Sequence, residues 1–382
     1  MFGIRRNSIG IMPAGALGVA FYHHLIAGGQ ERGNVVFLDR PGGDRREHPL
    51  GAGSLHIDFD GARHEVPSAG LFAGGMIECY AQGRLPELIL VAVNPDQIDA
   101  LLGGIVQLLE WMRDQGALET DELVFPYFLF VSNGIYFNHA RYRYVEMLER
   151  AVMEGLLPDL WPTLMPQLVC RLLRGPTMQS GRRTGSGPDA VYQPGHQGLT
   201  LICGGDADAR QRVYDLLSER RLPVQVAEQS PVSVELRKAL VNLICNLFGV
   251  IYSIEPDGGF RPRSIGEIIQ PEHHAEFCEL GEHLYEIGRA IHALPKGARF
   301  DAVWPTLLAQ LEAVADHYAS SVQAVAQAVA NGHPPTTITP NEAWLLDPLK
   351  QLAADMQLNE SKQYFSALED RYRDAIGRLV SR

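Results

Sequence analysis

Ile9–Phe21 reads IGIMPAGALGVAF. A short apolar run leads into PAGALG, and a helical pattern follows. Where a buried strand turns into a helix around a pyrophosphate, glycines recur as GxGxxG. The first makes the tight turn, the second lets the backbone approach the phosphates, and the third lets the helix pack on the strand. Gly15 and Gly18 hold the second and third positions, and Pro13 holds the first. Proline permits a turn but removes one N–H donor and fixes φ near about −65°. Pro13, Ala14, Gly15, Ala16, Leu17 and Gly18 therefore form the expected dinucleotide-phosphate contact, with the N–H groups of the helix start as donors. The plain alternative is an ordinary tight helix start.

The next apolar run, in NVVFLDR, leads into Asp39, about 20 residues beyond the turn, where an acidic residue meets the ribose of a bound dinucleotide. Asp39 would accept from the 2′-hydroxyl of NAD, whereas Arg40, helped by Arg45 and Arg46, would attract the 2′-phosphate of NADP. Both cofactors stay open on these residues.

Working outward, the first half alternates buried strand runs with helical patterns. SIGIM and NVVFLDR flank a helix over about Ala16 to Ala27, ELILVAV and FPYFLFVSNG flank DQIDALLGGIVQLLEWM, and SLHIDFDGARHEVP alternates around Asp60-Gly61 as a hairpin. This is the rhythm of an open, doubly wound α/β sheet. After about Gly205 helical patterns dominate: Val232 to Ile254, Ile265 to Leu294, Ala302 to Ala330, and two more after Pro340. The expected organisation is a Rossmann-type dinucleotide-binding domain over 1–207 and an all-helical substrate and catalytic domain over 208–382.

Composition narrows the function. A net charge of −12 argues against a nucleic-acid groove or an anionic membrane surface. Arg5-Arg6 before an apolar run has the outline of a signal peptide, but His23 and His24 interrupt it. No run reaches the ~18 apolar residues of a membrane span. The five cysteines are scattered without CxxC spacing and read as reduced core thiols of a cytoplasmic protein. His273, His274, His283 and His292 show no metal-ligand arrangement, and no metal is expected.

Only four lysines occur, and Lys238 lies in ELRKALVNLICNLFGVIY, where Lys238, Asn242 and Asn246 recur every fourth residue. On an α-helix they drift by about 40° per step, which makes one polar stripe on an otherwise apolar helix. Such groups are costly inside a protein unless they meet partners. A ligand carrying a carbonyl and a carboxylate would supply them, and a partly desolvated lysine suits the proton donor that hydride transfer to a ketone needs. The plain alternative places Lys238 at the solvent end of the helix.

These segments together resemble the ketopantoate reductase (2-dehydropantoate 2-reductase-like) family of the 6-phosphogluconate dehydrogenase-like superfamily. PAGALG matches its glycine-rich turn except at Pro13. In LDR, Arg40 stands at the family's NADP-phosphate arginine, and Asp39 replaces a small residue. VAVNPDQI matches a segment in which the family has lysine at the position of Asn94 and keeps Gln97. VSNGI nominates Asn133 as a cofactor or substrate contact. LLRGPTMQSGRRTG and GHQGLTLICGG resemble paired strands with an insertion between them. KALVNLICN resembles the catalytic helix, which implies a general-acid role for Lys238 and substrate binding for Asn242 and Asn246. HYASSVQ implies a substrate contact at Ser321 or Ser320, against the simpler reading of a solvated helix serine. TPNEAWLLDPLKQLA implies a catalytic-site Glu342, against the simpler reading of a carboxylate at a helix N-terminus.

The resemblance implies an NAD(P)H-dependent reductase of a small 2-oxo acid or related carbonyl compound, acting as a homodimer, with the nicotinamide in a cleft between the domains. Two alternatives stay open: a β-hydroxyacid dehydrogenase, and a non-catalytic NADP(H) sensor.

Overall fold

A computed structural model describes residues 3–29, 32–41, 53–118, 124–185 and 187–380. The chain forms two compact units, Met1–Pro231 and Val232–Arg382.

In the first unit the strands are β1 (Ile4–Met12), β2 (Val35–Phe37), β3 (Ser54–Phe59), β4 (Ala62–Pro67), β5 (Leu85–Val91), β6 (Tyr127–Phe130), β7 (Leu172–Arg174), β8 (Gly181–Thr184), β9 (Val191–Pro194), β10 (Thr200–Gly204) and β11 (Val224–Val226). Seven form a sheet in the order β11-β10-β7-β6-β5-β1-β2, with β1, β2, β5, β6 and β7 parallel and β10 antiparallel to β7. Both faces are covered. On one face Ile89, Val91, Phe128 and Phe130 pack with helices Ile98–Asp114 and Phe137–Met153. On the other, Leu88, Leu90, Leu129 and Val131 pack with helices Ala16–Ala27 and Ala207–Ser218. A strand buried on both sides must be apolar at every position, which is why ELILVAV and YFLF read as continuous runs rather than alternating ones.

The unit extends past the expected boundary at 207/208. Helix Ala207–Ser218 packs on the sheet and β11 joins its edge through parallel pairing with β10. VQVAE is the one strand-like run after Gly205, where helical patterns otherwise dominate, and β10 supplies its partner.

The hairpin around Asp60-Gly61 forms, and both turn residues take positive φ (51° and 76°), as a two-residue hairpin turn of matching twist requires. It belongs to a second sheet, β4-β3-β9-β8. The insertion between β7 and β10 supplies β8 and β9, and this small sheet lies against the helix that follows the glycine-rich turn. The Tyr192 hydroxyl donates to the Ala14 carbonyl (3.2 Å), and the His24 ring nitrogen Nε2 bonds the Gly195 carbonyl (2.8 Å).

The second unit is helical. Helix Pro231–Asn242 continues through a π-helical stretch, Leu243–Phe248, into Gly249–Ser253. The single helix expected over Ile265 to Leu294 is instead Ile265–Ile268 followed by His274–Ala290, because Pro271 lacks the N–H a helix needs there. The one expected over Ala302 to Ala330 is two, Trp304–Glu312 and Ser320–Ala330. Between them the Ala315 and His317 carbonyls turn away to accept from the N–H groups of Gly266 and Ile265 (both 2.8 Å). Helices Pro340–Asp355 and Asn359–Val380 complete the unit.

Candidate active site

Sheet register brings the first unit's candidates together. Ile11 of β1 is level with Phe37 of β2, Met12 with Val91 of β5, and Val91 with Phe130 of β6. Four adjacent parallel strands thus end at one edge, and Pro13–Gly18, Asp39 and Arg40, Asn94 and Gln97, and Asn133 are the residues that follow those ends. Ligands of open α/β sheets bind at this edge.

The two glycines of the turn do different work. Gly15, with φ −82° and ψ −178°, is in an ordinary extended conformation, and a Cβ added there meets nothing within 4 Å. A Cβ at Gly18 would lie 2.2 Å from the Pro13 carbonyl oxygen, so Gly18 is required by the fold itself. No side chain caps the helix, and its first internal bond is Val19 N–H to Gly15 C=O (2.8 Å). The N–H groups of Ala16, Leu17 and Gly18 precede that bond and point along the axis at the open space beside Gly15.

Asp39 lies two residues beyond the end of β2 rather than in the strand, half-buried, with its N–H on the Gly74 carbonyl (3.0 Å). Arg40 is also half-buried, and Arg45 and Arg46 lie outside the described residues. Asn94 is exposed, and its N–H donates to Gln97 Oε1 (3.4 Å).

Asn133 sits in the turn after β6, and here the structure shows a residue that the sequence reading passed over. Arg174, at the end of β7, is 1% exposed. Its Nη1 donates to the Phe130 carbonyl (2.6 Å), and its Nη2 donates to those of Ser132 (2.8 Å) and Gly134 (3.2 Å). The available signal was an arginine in the apolar stretch LLRG, where a charge needs a built set of acceptors.

In the second unit Lys238 is half-buried, and Asn242 one turn on is buried. Burial pushes the neighbouring Cys245 thiol up to about 12, against an opposing pull from the Lys238 charge. The π-helical stretch corrects the stripe's geometry. Four α-helical residues overshoot a full turn, whereas four residues of a wider π turn fall short of one, so Asn246 rotates back toward the line of Lys238 and Asn242.

Asn246 Oδ1 accepts from the Ser321 N–H (3.0 Å) and the Ser320 hydroxyl (3.2 Å) at the start of helix Ser320–Ala330. With its oxygen taken, Asn246 has its NH₂ group left to offer, which is a donor only. Ser321, 4% exposed, donates from Oγ to Glu342 Oε1 (2.5 Å), so it is not the solvated serine of the simpler reading. Glu342 is 1% exposed, and burial pushes its carboxyl up to about 7, with the Ser321 hydrogen bond opposing. Its second oxygen, Oε2, has no hydrogen-bond partner among the described residues. A carboxylate merely lending charge to a helix N-terminus would remain in water, whereas this one is enclosed. Three residues drawn from three separate segments, Asn246, Ser321 and Glu342, thus form one continuous polar chain.

The fold is shared with solved dehydrogenase and reductase structures. No family model matches the chain, and no curated protein does. Among solved structures, it is similar to D-mandelate dehydrogenase in ternary complex with NADH and anilino(oxo)acetate, at 17% identity over 98% of this chain and 99% of the other, with a TM-score of 0.63. It is also similar to a 2-dehydropantoate 2-reductase from Geobacter metallireducens GS-15 (14% identity, 95% and 99% covered, TM-score 0.57) and to a ketopantoate reductase from Ralstonia eutropha JMP134 (13% identity, 96% and 99% covered, TM-score 0.57).

Proposed function

We propose that the protein is an NAD(P)H-dependent reductase of a small 2-oxo acid or related carbonyl compound, of the ketopantoate reductase type. The observation that carries this reading is the Asn246–Ser321–Glu342 chain, which starts on the helical segment that also carries the half-buried Lys238. The chain contains Asn246, Ser321 and Glu342, three of the residues to which the family resemblance gives a role in the helical half.

The first unit fits a dinucleotide. An uncapped helix start, the open space at Gly15 and a set of polar residues beyond four parallel strand ends are the features such a cofactor uses. Pro13–Gly18 would hold the pyrophosphate, Asp39 and Arg40 the adenosine ribose, and Asn94, Gln97 and Asn133 the remainder. When bound, the nicotinamide supplies the hydride that reduces the carbonyl carbon. Lys238 holds a proton at Nζ and delivers it to the developing alkoxide oxygen. Asn242 and the NH₂ of Asn246 orient the substrate's oxygens. Glu342, with a carboxyl poised near neutrality, takes a substrate hydroxyl on Oε2 or tunes the Lys238 charge, and Ser321 holds it in place. The nucleotide role thus falls to the first unit and the substrate role to the second.

A homodimer is part of the proposal, supported by a neighbour of the same fold described as a dimeric ketopantoate reductase. Light scattering on the purified chain tests it. A cytoplasmic location is proposed from five free cysteines. No helix among the described residues is long and apolar enough to cross a membrane.

The deciding experiment mixes the protein with NADPH or NADH and a panel of 2-oxo acids and follows cofactor oxidation. Turnover supports the reading, and the preferred cofactor reports whether Arg40 or Asp39 dominates. Tight cofactor binding with no turnover across the panel counts against it.

A further inference from the structure

Arg174 stands where the sheet runs out of hydrogen-bond partners. The Phe130 carbonyl still receives the Gly175 N–H (2.8 Å), but beyond it the chain leaves the β6 ladder and turns through Gly134 at φ 123°. The carbonyls of this turn fall to the Arg174 guanidinium, which lies 4.6 Å from the Tyr136 ring centroid, and the Tyr136 hydroxyl is 2.6 Å from Ser132 Oγ. A single nitrogen, Nη2, binds the carbonyls of Ser132 and Gly134, the residues on either side of Asn133. These carbonyls belong to the peptide that enters Asn133 and the one that leaves Gly134, so the Asn133–Gly134 turn is clamped at both ends and the Asn133 Cα–Cβ bond is held in its direction. A planar fork does this in a way that a lysine ammonium, a point charge on a flexible stem, does not.

We propose that Arg174 is a positioning residue that sets the direction of Asn133, and through it the alignment of cofactor and substrate for hydride transfer. This rests on the reductase reading. Arg174 is enclosed and donates to backbone carbonyls, so the effect on catalysis is assigned to the turn that carries Asn133. A misplacement of about 1 Å at a reacting centre costs on the order of a hundredfold in rate.

The test compares the wild type with Arg174→Met, Arg174→Lys, Asn133→Ala and the two Arg174 variants combined with Asn133→Ala. The measurements are kcat on the best 2-oxo acid, the Kd of the preferred cofactor from its fluorescence, and thermal stability. Arg174→Met is expected to lower kcat about ten- to a hundredfold and to weaken cofactor binding no more than Asn133→Ala does. The double variant should be no slower than Asn133→Ala alone, because one residue acts through the other. Arg174→Lys retains the stem and charge, so it should recover stability without recovering kcat, and it carries the cycle if the methionine variant does not fold. Losses that multiply in the double variant, or an unchanged kcat in a folded Arg174 variant, overturn the proposal. An inactive wild type overturns the reductase reading and this inference with it, whereas an active wild type with multiplying losses overturns this inference alone.

Discussion

The turn Pro13–Gly18 and the chain Asn246–Ser321–Glu342 handle polarity in opposite ways. The turn is built from backbone. Its donors are N–H groups at a helix start with no capping side chain, and a Cβ at Gly15 would enter open space. The chain is built from side chains whose oxygens and hydroxyls are largely committed to one another, and it ends in a carboxyl that burial holds near neutrality. Backbone donors cannot titrate, so such a turn suits a ligand of constant charge such as a pyrophosphate. Buried side chains can titrate, which suits a step in which a proton moves. Each substitution below sharpens this contrast or breaks it.

The largest effect is expected from Lys238→Ala. Losing a general acid lowers kcat by about a hundredfold or more, while the backbone-built turn leaves cofactor affinity nearly unchanged. Steady-state rates and a fluorescence titration on one preparation check both halves. Equal losses in kcat and in cofactor binding would erase the division of labour between the two regions.

Gly18→Ala comes next. Its Cβ would overlap the Pro13 carbonyl oxygen at 2.2 Å, so the helix start must shift. Destabilisation of about 3 kcal/mol is expected, at the upper end of ordinary single substitutions, and denaturant melts measure it.

Glu342→Gln probes the buried chain. The folded carboxyl titrates near 7, above the ordinary 4.5, because burial disfavours its charge. The folded state therefore binds more protons than the unfolded state between those values, and stability falls as pH rises through that window, by up to roughly 3 kcal/mol. Glutamine still accepts from Ser321 and does not titrate. Melting temperatures from pH 5 to 8 should decline in the wild type and stay flat in the variant; matching declines would place the titrating group elsewhere.

The smallest effect separates the two glycines of one turn. Gly15→Ala adds a methyl group to open space at an unstrained backbone, so stability should hold. Only a ligand approaching the backbone would feel it, and cofactor affinity should weaken by about tenfold, worth about 1.4 kcal/mol. An alanine variant that binds as tightly as wild type would mean the pyrophosphate sits elsewhere.

Much of this molecule was legible in the chain. IGIMPAGALGVAF announced a strand, a turn and the helix Ala16–Ala27, because the spacing of Gly15 and Gly18 and the apolar run before them are local facts. Asp60-Gly61 announced its hairpin for the same reason. Lys238, Asn242 and Asn246 were legible as a stripe because helical periodicity needs no partner. Continuous apolar runs announced strands buried on both faces.

What depended on partners distant in sequence was not legible. VQVAE has the pattern of a strand, but its place in the first unit depends on pairing with β10, so that unit runs past 207. Carbonyls of residues 315–317 break one expected helix to serve another. Ser321 reads as a surface serine until Glu342 is packed against it. Arg174 reads as a misplaced charge until three carbonyls close around it. Propensity, periodicity and turn chemistry act over a few residues, so the sequence alone determined the class of fold and the kinds of residue available for chemistry. Burial, pKa and hydrogen-bond satisfaction are properties of a neighbourhood, and only the tertiary structure assembled those.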